Sequence, residues 1–171
     1  MFGAMDTAPP LNLSVPLIAP RWQWSRLPEL APADLYALLA ARQQVFAVEQ
    51  HCAFQDADGH DLTAWHLLGW ATQGSSSTLA AYLRVLDPGS KYAEPSIGRV
   101  LTVPPWRRTG LGRVLMKEGV ERCRRAWPGY DIRVAAQTRL EAFYASLDFR
   151  SVSLPYIEDG ISHVDMVRAG R

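Results

Sequence analysis

The sequence predicts an α/β (α+β) fold in which one mixed, mostly antiparallel sheet carries helices on its faces. Three observations lead there. Short β-branched and aromatic runs recur along the chain, several joined by Gly/Ser or Asp/Gly turns that suit hairpins. Two other segments repeat apolar residues at helical spacing. Near the middle, a β-branched run passes through prolines, arginines and glycines directly into a helix. The running order is β-α-β-β-β-α-β-α-β-β, with no internal repeat.

Residues 1–20 are rich in proline and small side chains and predict a poorly ordered extension ahead of a single domain at 21–171. Trp22-Gln23-Trp24 alternates and fits a first strand. Pro32-Ala33-Asp34 opens a helix, because proline suits the first turn and an acid suits its positive end. Leu35, Leu38, Leu39, Arg42 and Val45 or Phe46 follow on one face. Between 45 and 63 the chain leaves the helix for an acidic, glycine-punctuated loop. Asp56, Asp58 and Asp61 there have the look of a calcium loop, but Leu67 stands where its last carboxylate belongs. Two readings of these acids remain: a tight turn with Asx bonding, or an acidic rim that attracts a cationic amine.

Residues 65–71 and 78–86 read as strands across a flexible Gly/Ser connection. A loop at Pro88-Gly89 leads to Ser96-Ile97-Gly98-Arg99 and on into Val100-Leu101-Thr102-Val103, which Pro104-Pro105-Trp106 then breaks. Behind Arg107-Arg108-Thr109-Gly110-Leu111-Gly112-Arg113, a helix runs on Leu111, Val114, Leu115 and Val120 until Trp127-Pro128-Gly129 stops it. Ile132 opens another short apolar strand. Leu140, Phe143, Tyr144 and Leu147 ride a short helix. Two last strands, at 150–155 and 161–167, meet at a Glu158-Asp159-Gly160 turn.

The central stretch is physically an anion site. The first amides of a helix lack internal partners, and the helix dipole adds partial positive charge there. Gly110 and Gly112 let a phosphate approach the backbone, and Arg107, Arg108 and Arg113 offer forked donors. The spacing excludes both the Gly-Lys-Ser/Thr triphosphate loop and the three-glycine dinucleotide fingerprint.

Composition narrows the partners. A formal charge of +1 over 171 residues gives no electrostatic case for nucleic acid or membrane as the main partner. No apolar run approaches the roughly 18 residues that span a bilayer. Cys52 and Cys123 lack metal-ligand spacing, so no metal is expected and a reduced, cytoplasmic setting is.

The pattern Arg107-x-x-Gly110-x-Gly112 resembles the acetyl-CoA pyrophosphate loop of the GNAT family of acyltransferases. Downstream, Gln137, the Phe143-Tyr144 pair and Phe149 match the second half of that family's signature; Gln137 stands where Asn is commoner, and Asp148 replaces the usual glycine. Leu35-Tyr36-Ala37-Leu38-Leu39, Val45-Phe46-Ala47-Val48-Glu49-Gln50, Ile97-Gly98-Arg99-Val100 and the Glu158-Asp159-Gly160 turn look like the bacterial ElaA subfamily. This resemblance covers nearly all of the chain after residue 20. It implies a single GNAT-type acyl-CoA N-acyltransferase fold, acetyl-CoA as cosubstrate, and a small-molecule or peptide amine as acceptor.

It also implies roles. The backbone from Arg107 through Arg108, Thr109, Gly110, Leu111 and Gly112 to Arg113 holds the pyrophosphate, with Gln137 at the neighbouring strand end. The edge from Leu101 to Val103 pairs with the pantetheine arm, and the Leu101 amide faces the thioester oxygen. Tyr144 matches the residue that protonates the departing thiolate; the other reading is a core aromatic hydrogen-bonded to a carbonyl. Glu49 is the candidate general base, where the first helix meets the substrate loop; a solvated helix-end carboxylate is the alternative. His66 has a weaker claim to that role, and His51, His60 and a nucleophilic Cys52 weaker still. A lysine-type amine is neutral in about one molecule in 2,500 at pH 7, against about one in ten for an α-amine, so it needs roughly 3 kcal/mol more help.

Two rival functions share these motifs: a catalytically inert CoA-binding regulatory module, and a synthase using longer acyl groups, such as an acyl-homoserine-lactone synthase. Exposed edge strands and six tryptophans permit a homodimer.

Overall fold

The computed structural model describes residues 19–170. The extension expected over 1–20 therefore lies, for residues 1–18, outside the described residues. Strands β1 (Arg21–Arg26), β2 (Trp65–Gln73), β3 (Ser76–Leu86), β4 (Ser96–Thr102), β5 (Ile132–Gln137), β6 (Arg150–Ser151), β7 (Tyr156–Glu158) and β8 (Ile161–Arg168) form one sheet. Its order is β1-β2-β3-β4-β5-β8-β6, with β7 also paired to β8. Every pairing is antiparallel except β4 with β5.

Helix α1 (Pro32–Arg42) lies on one face. Leu38, Val45, Leu68, Trp70, Tyr82 and Leu101 form the core beneath it. Helix α2 (Leu111–Ala126) and the single turn α3 (Glu141–Ala145) cover the other face, where Leu67, Leu83, Leu115, Met116, Val134 and Phe149 belong to the larger core. Gly119 lets α2 approach β3 closely: a Cβ there would sit 2.6 Å from Leu83 Cδ2. Among the described residues no helix is long and apolar enough to cross a membrane.

The structure departs from expectation in three places. The first helix does run on to Glu49, but it widens into a π-type turn over Gln43–Glu49 rather than keeping α geometry, and Glu49 lines the cleft described below. The expected strand at 150–155 is two short pieces, β6 and β7, because the stretch through Ser153 and Pro155 leaves the sheet between them. The β2–β3 connection is tight rather than flexible, since the strands pair out to Gln73↔Ser76 around Gly74 at φ +60°.

Candidate active site

The site begins with a divergence. β4 and β5 run parallel but pair only at Ser96↔Arg133 and Ile97↔Val134; beyond Ile97 they separate. A cleft of about 840 Å³ opens along that seam, lined on the β4 side by Val100, Leu101 and Thr102 and on the other by Ala135, Gln137 and Tyr144.

Register decides which β4 amides face this cleft. Tyr82 pairs with Leu101 and Ala81 with Thr102, and the Val103 N–H donates to Ala80 O at 2.9 Å. In an antiparallel ladder the polar groups of alternate residues point to the same side. Val103 and Leu101 therefore turn their amides toward β3, whereas Thr102 and Val100 turn theirs to the open edge. This corrects the expectation that the Leu101 amide faces a thioester oxygen and that Val103 lends its amide to the pantetheine arm. Sequence spacing located the strand but not its phase. The phase is set by a bulge on β4, where Arg99, at φ +52°, and Val100 together oppose Leu83 between the Leu101↔Tyr82 and Gly98↔Arg84 pairs.

The loop after β4 has the anticipated character. Gly110 is the N-cap of α2 at φ +84°, and no side chain caps the helix. Arg108 is also left-handed at φ +61°, and Thr109 Oγ1 donates to Trp106 O at 2.7 Å, fixing the turn. A Cβ on Gly112 would meet only Thr102 Cγ2 at 3.9 Å and Phe143 Cζ at 4.0 Å, so this glycine is not needed for internal packing. The start of α2 thus presents uncapped amides beside the open strand edge.

The loop's arginines are not equivalent. Arg107 Nε donates to Thr102 O at 3.0 Å, on the open edge, and its Nη2 donates to Glu49 Oε2 at 2.8 Å. Arg113 reaches Ser146 Oγ at 2.9 Å and lies 5.9 Å from the Phe143 ring centre, so it braces α2 against α3. Tyr144 is buried and packs edge-on against Phe143 and Phe149. Burial alone pushes its hydroxyl up to about 12, with no hydrogen-bonding neighbour contributing. Gln137 Nε2 donates to Gln50 Oε1 at 3.1 Å, and Gln137 Oε1 accepts from Arg139 Nε at 2.9 Å. Cys52 Sγ meets Asp159 O at 3.4 Å, bringing the loop after α1 against the β7–β8 turn.

The acidic loop does turn through an Asx bond, the His60 N–H donating to Asp58 Oδ1 at 3.1 Å, but its acids are not a rim left free for a cation. Asp61 accepts from Arg42 at 2.6 Å and from Arg84 at 2.8 Å; Asp56 accepts from Arg42 and Arg99 at 2.7 Å each; Asp58 accepts from Arg84 at 2.7 Å. Three arginines from α1, β3 and β4 thereby balance the three aspartates and lock the loop onto the sheet. Burial opposes ionisation of Asp58 and Asp61, but the guanidinium hydrogen bonds outweigh it and hold both well below the usual carboxylate range. Arg42 on the apolar face of the first helix was the sequence signal for this cluster, since a fully buried arginine requires partners. His66 is fully buried, with Nδ1 2.8 Å from Tyr82 Oη and Nε2 3.0 Å from Asp61 O; burial lowers its pKa. It does not line the cleft, so the structure removes it as a base.

Comparison with known proteins agrees with this geometry. Residues 70–169 match the acetyltransferase (GNAT) domain family. The chain is 40% identical to ElaA of Escherichia coli over 149 residues, 86% of this chain and 95% of that protein. The crystal structure of that ElaA superposes with a TM-score of 0.79, covering 87% of this chain and 99% of the other. An acyl-CoA N-acyltransferase from Pseudomonas aeruginosa superposes at 0.81 with 38% identity, covering 88% of this chain and 99% of its own. A UPF0039 protein of Synechocystis is 39% identical over 146 residues, 85% of this chain and 93% of its own length.

Proposed function

Because the chain belongs to the GNAT acetyltransferase family and to its ElaA-like branch, we propose that it moves an acetyl group from acetyl-CoA to a primary amine of a small molecule or peptide. The observation that carries this reading is the open edge of β4 meeting the uncapped start of α2, with Tyr144 across the cleft. An extended arm pairs with such an edge as an added strand does, and a pyrophosphate suits the helix start next to it.

In this reading the amides and carbonyls of Val100 and Thr102 hold the pantetheine arm, and the Val100 amide supports the carbonyl oxygen as charge develops on it. The Arg107 and Arg113 amides are taken by Pro104 O and Gly110 O, so the amides from Arg108 to Gly112 hold the phosphates, and Gln137 keeps the neighbouring strand end in place through Gln50. Acetyl-CoA supplies an activated thioester carbonyl; the C–N bond forms as the C–S bond breaks. Glu49, directly or through a water, takes the proton that the amine sheds. Tyr144 stays protonated and donates to the departing sulfur. Direct attack in a ternary complex needs no nucleophilic side chain.

The test is a titration of the full chain with acetyl-CoA, followed by tryptophan fluorescence and then by thiol release with a panel of amines. Saturable binding that the Arg107→Glu/Gly110→Trp variant loses, together with amine-dependent thiol release, supports the reading. No binding by the wild type overturns it. Binding without turnover on any amine leaves the CoA-binding module in its place.

A further inference from the structure

His163, on β8, stands on the far bank of the cleft with one ring nitrogen committed and the other open. Its Nδ1–H donates to Ile161 O at 2.9 Å, since a carbonyl oxygen can only accept. In the neutral ring this bond fixes the tautomer and leaves Nε2 as a lone-pair acceptor. Nε2 has no hydrogen-bond partner among the described residues, yet it is accessible, and His163 lines the cleft.

The ring is held on both sides. His163 is opposite Gln137 of β5 and Tyr156 of β7, so the three side chains share one face of the sheet. The Tyr156 ring stacks on the imidazole with centroids 6.1 Å apart and planes 26° apart, and Tyr156 Oη donates to Asp165 Oδ1 at 2.8 Å. Gln137 is tied in turn to Gln50 at 3.1 Å. An imidazole with an anchored N–H and a stacked face loses little freedom when its Nε2 receives a donor.

Register sets its height. Ile97 pairs with Val134, so three residues on, with the β4 bulge counted, Gln137 comes level with Val100 and Leu101 across the seam. His163, beside Gln137, shares that level. In the acetyltransferase reading the Val100 amide faces the reacting carbonyl, which puts His163 across from the reacting carbon. Glu49 reaches the same space from the β4 bank, where Arg107 ties it to Thr102 O. Lys91 and Glu158, at the His163 end of the cleft, are already paired with each other at 3.7 Å.

Resting on that reading, we propose that His163 Nε2 accepts one N–H of the attacking amine while Glu49, directly or through a water, accepts the other. The site then selects primary over secondary amines. A neutral primary amine has two N–H groups and one lone pair; with both N–H groups engaged, the lone pair points at the carbonyl carbon. The C–N bond forms as the C–S bond breaks, the amine proton passes to Glu49, and sulfur takes its proton from Tyr144; solvent restores both residues. His163 itself gains and loses no proton. A secondary amine has a single N–H and leaves one of the two acceptors unpaired.

The experiment is thiol release by the full chain at mildly alkaline pH and saturating acetyl-CoA. The probes are n-butylamine and benzylamine, each beside its N-methyl derivative. Wild type should favour each primary amine by about ten-fold in kcat/KM, the worth of one hydrogen bond. His163→Leu should lower the primary-amine value about ten-fold and hold the N-methyl value within about two-fold, erasing the preference with acetyl-CoA affinity unchanged. His163→Gln, whose carboxamide oxygen can stand near the place of Nε2, should keep most of it. An equal loss for both amines marks a structural role and overturns the proposal, as does an undiminished preference in His163→Leu. Wild type that turns over none of the probes overturns the acetyltransferase reading and this role with it. Long-range nitrogen–proton spectra of the imidazole need no variant: a neutral His163 ring protonated at Nε2 overturns the proposal whatever the kinetics, and one protonated at Nδ1 supports it.

Discussion

Glu49 Oε2 lies 2.8 Å from Arg107 Nη2, so the carboxylate proposed as base and an arginine of the proposed phosphate loop neutralise each other across the mouth of the cleft. In the proposed reading, cosubstrate phosphates compete with Glu49 for Arg107, and their binding releases the carboxylate toward the acceptor. Both side chains are partly exposed, 27% and 39%, so the pair contributes only about 0.2–1 kcal/mol.

This coupling predicts opposite effects from one substitution. Glu49→Gln should tighten acetyl-CoA binding by up to about five-fold, the full worth of an exposed ion pair. It should lower kcat by about 10²- to 10⁴-fold, the range of general-base catalysis. Fluorescence titration and steady-state thiol release measure the two. Unchanged kcat would remove Glu49 as base.

Tyr144→Phe should lower kcat by about 10²- to 10⁴-fold with acetyl-CoA affinity held within about three-fold. Burial pushes the Tyr144 hydroxyl up to about 12, so it remains a donor throughout the neutral and mildly alkaline range. The loss should be the same at every pH from about 7 to 10, and a loss that vanished at the alkaline end would contradict a donor role.

Acid should weaken the fold in two stages. His66 is buried neutral with its pKa lowered, so folding resists its protonation, and stability falls as pH drops below its unfolded value of about 6.5. Asp58 and Asp61 have depressed pKa values; their contribution is complete above about pH 4 and is lost as pH falls below it. Thermal melts from pH 7 to 3 follow both stages. Asp61→Asn leaves Arg42 and Arg84 short of a partner and should cost about 3–5 kcal/mol at neutral pH, with a shallower loss in the second stage.

Gly119→Ala tests the α2–β3 contact. Alanine gains about 1 kcal/mol of helix propensity, but its Cβ would sit 2.6 Å from Leu83 Cδ2, with Leu83 fully buried. Overpacking of that kind costs about 1–3 kcal/mol, so a net loss of about 1 kcal/mol is expected in chemical denaturation.

Local signals were enough for most of the fold. Period and punctuation marked α2 from Gly110 to Trp127, and the Arg107-to-Gly112 spacing marked the loop. The misses share a cause: each depends on partners distant in sequence. The phase of β4 follows from its ladder with β3. The roles of Asp56, Asp58 and Asp61 depend on Arg42, Arg84 and Arg99, which reach them only once the sheet is assembled. The split of the penultimate strand depends on what β8 offers along its length. In the candidate site, Tyr144 and Glu49 do line one cleft, whereas Leu101 contributes a buried side chain rather than a free amide.

The narrow join between β4 and β5 also bears on how the molecule comes apart. Two register pairs connect the β1–β4 half of the sheet to the β5–β8 half, so the backbone ladder there is the weakest line of cooperativity, and α2 with its core is left to bridge it. Hydrogen exchange should therefore resolve two protected blocks that open independently before global unfolding. A ligand seated along the seam would act as a staple between them, merging two foldons into one and raising the free energy of every opening that parts them.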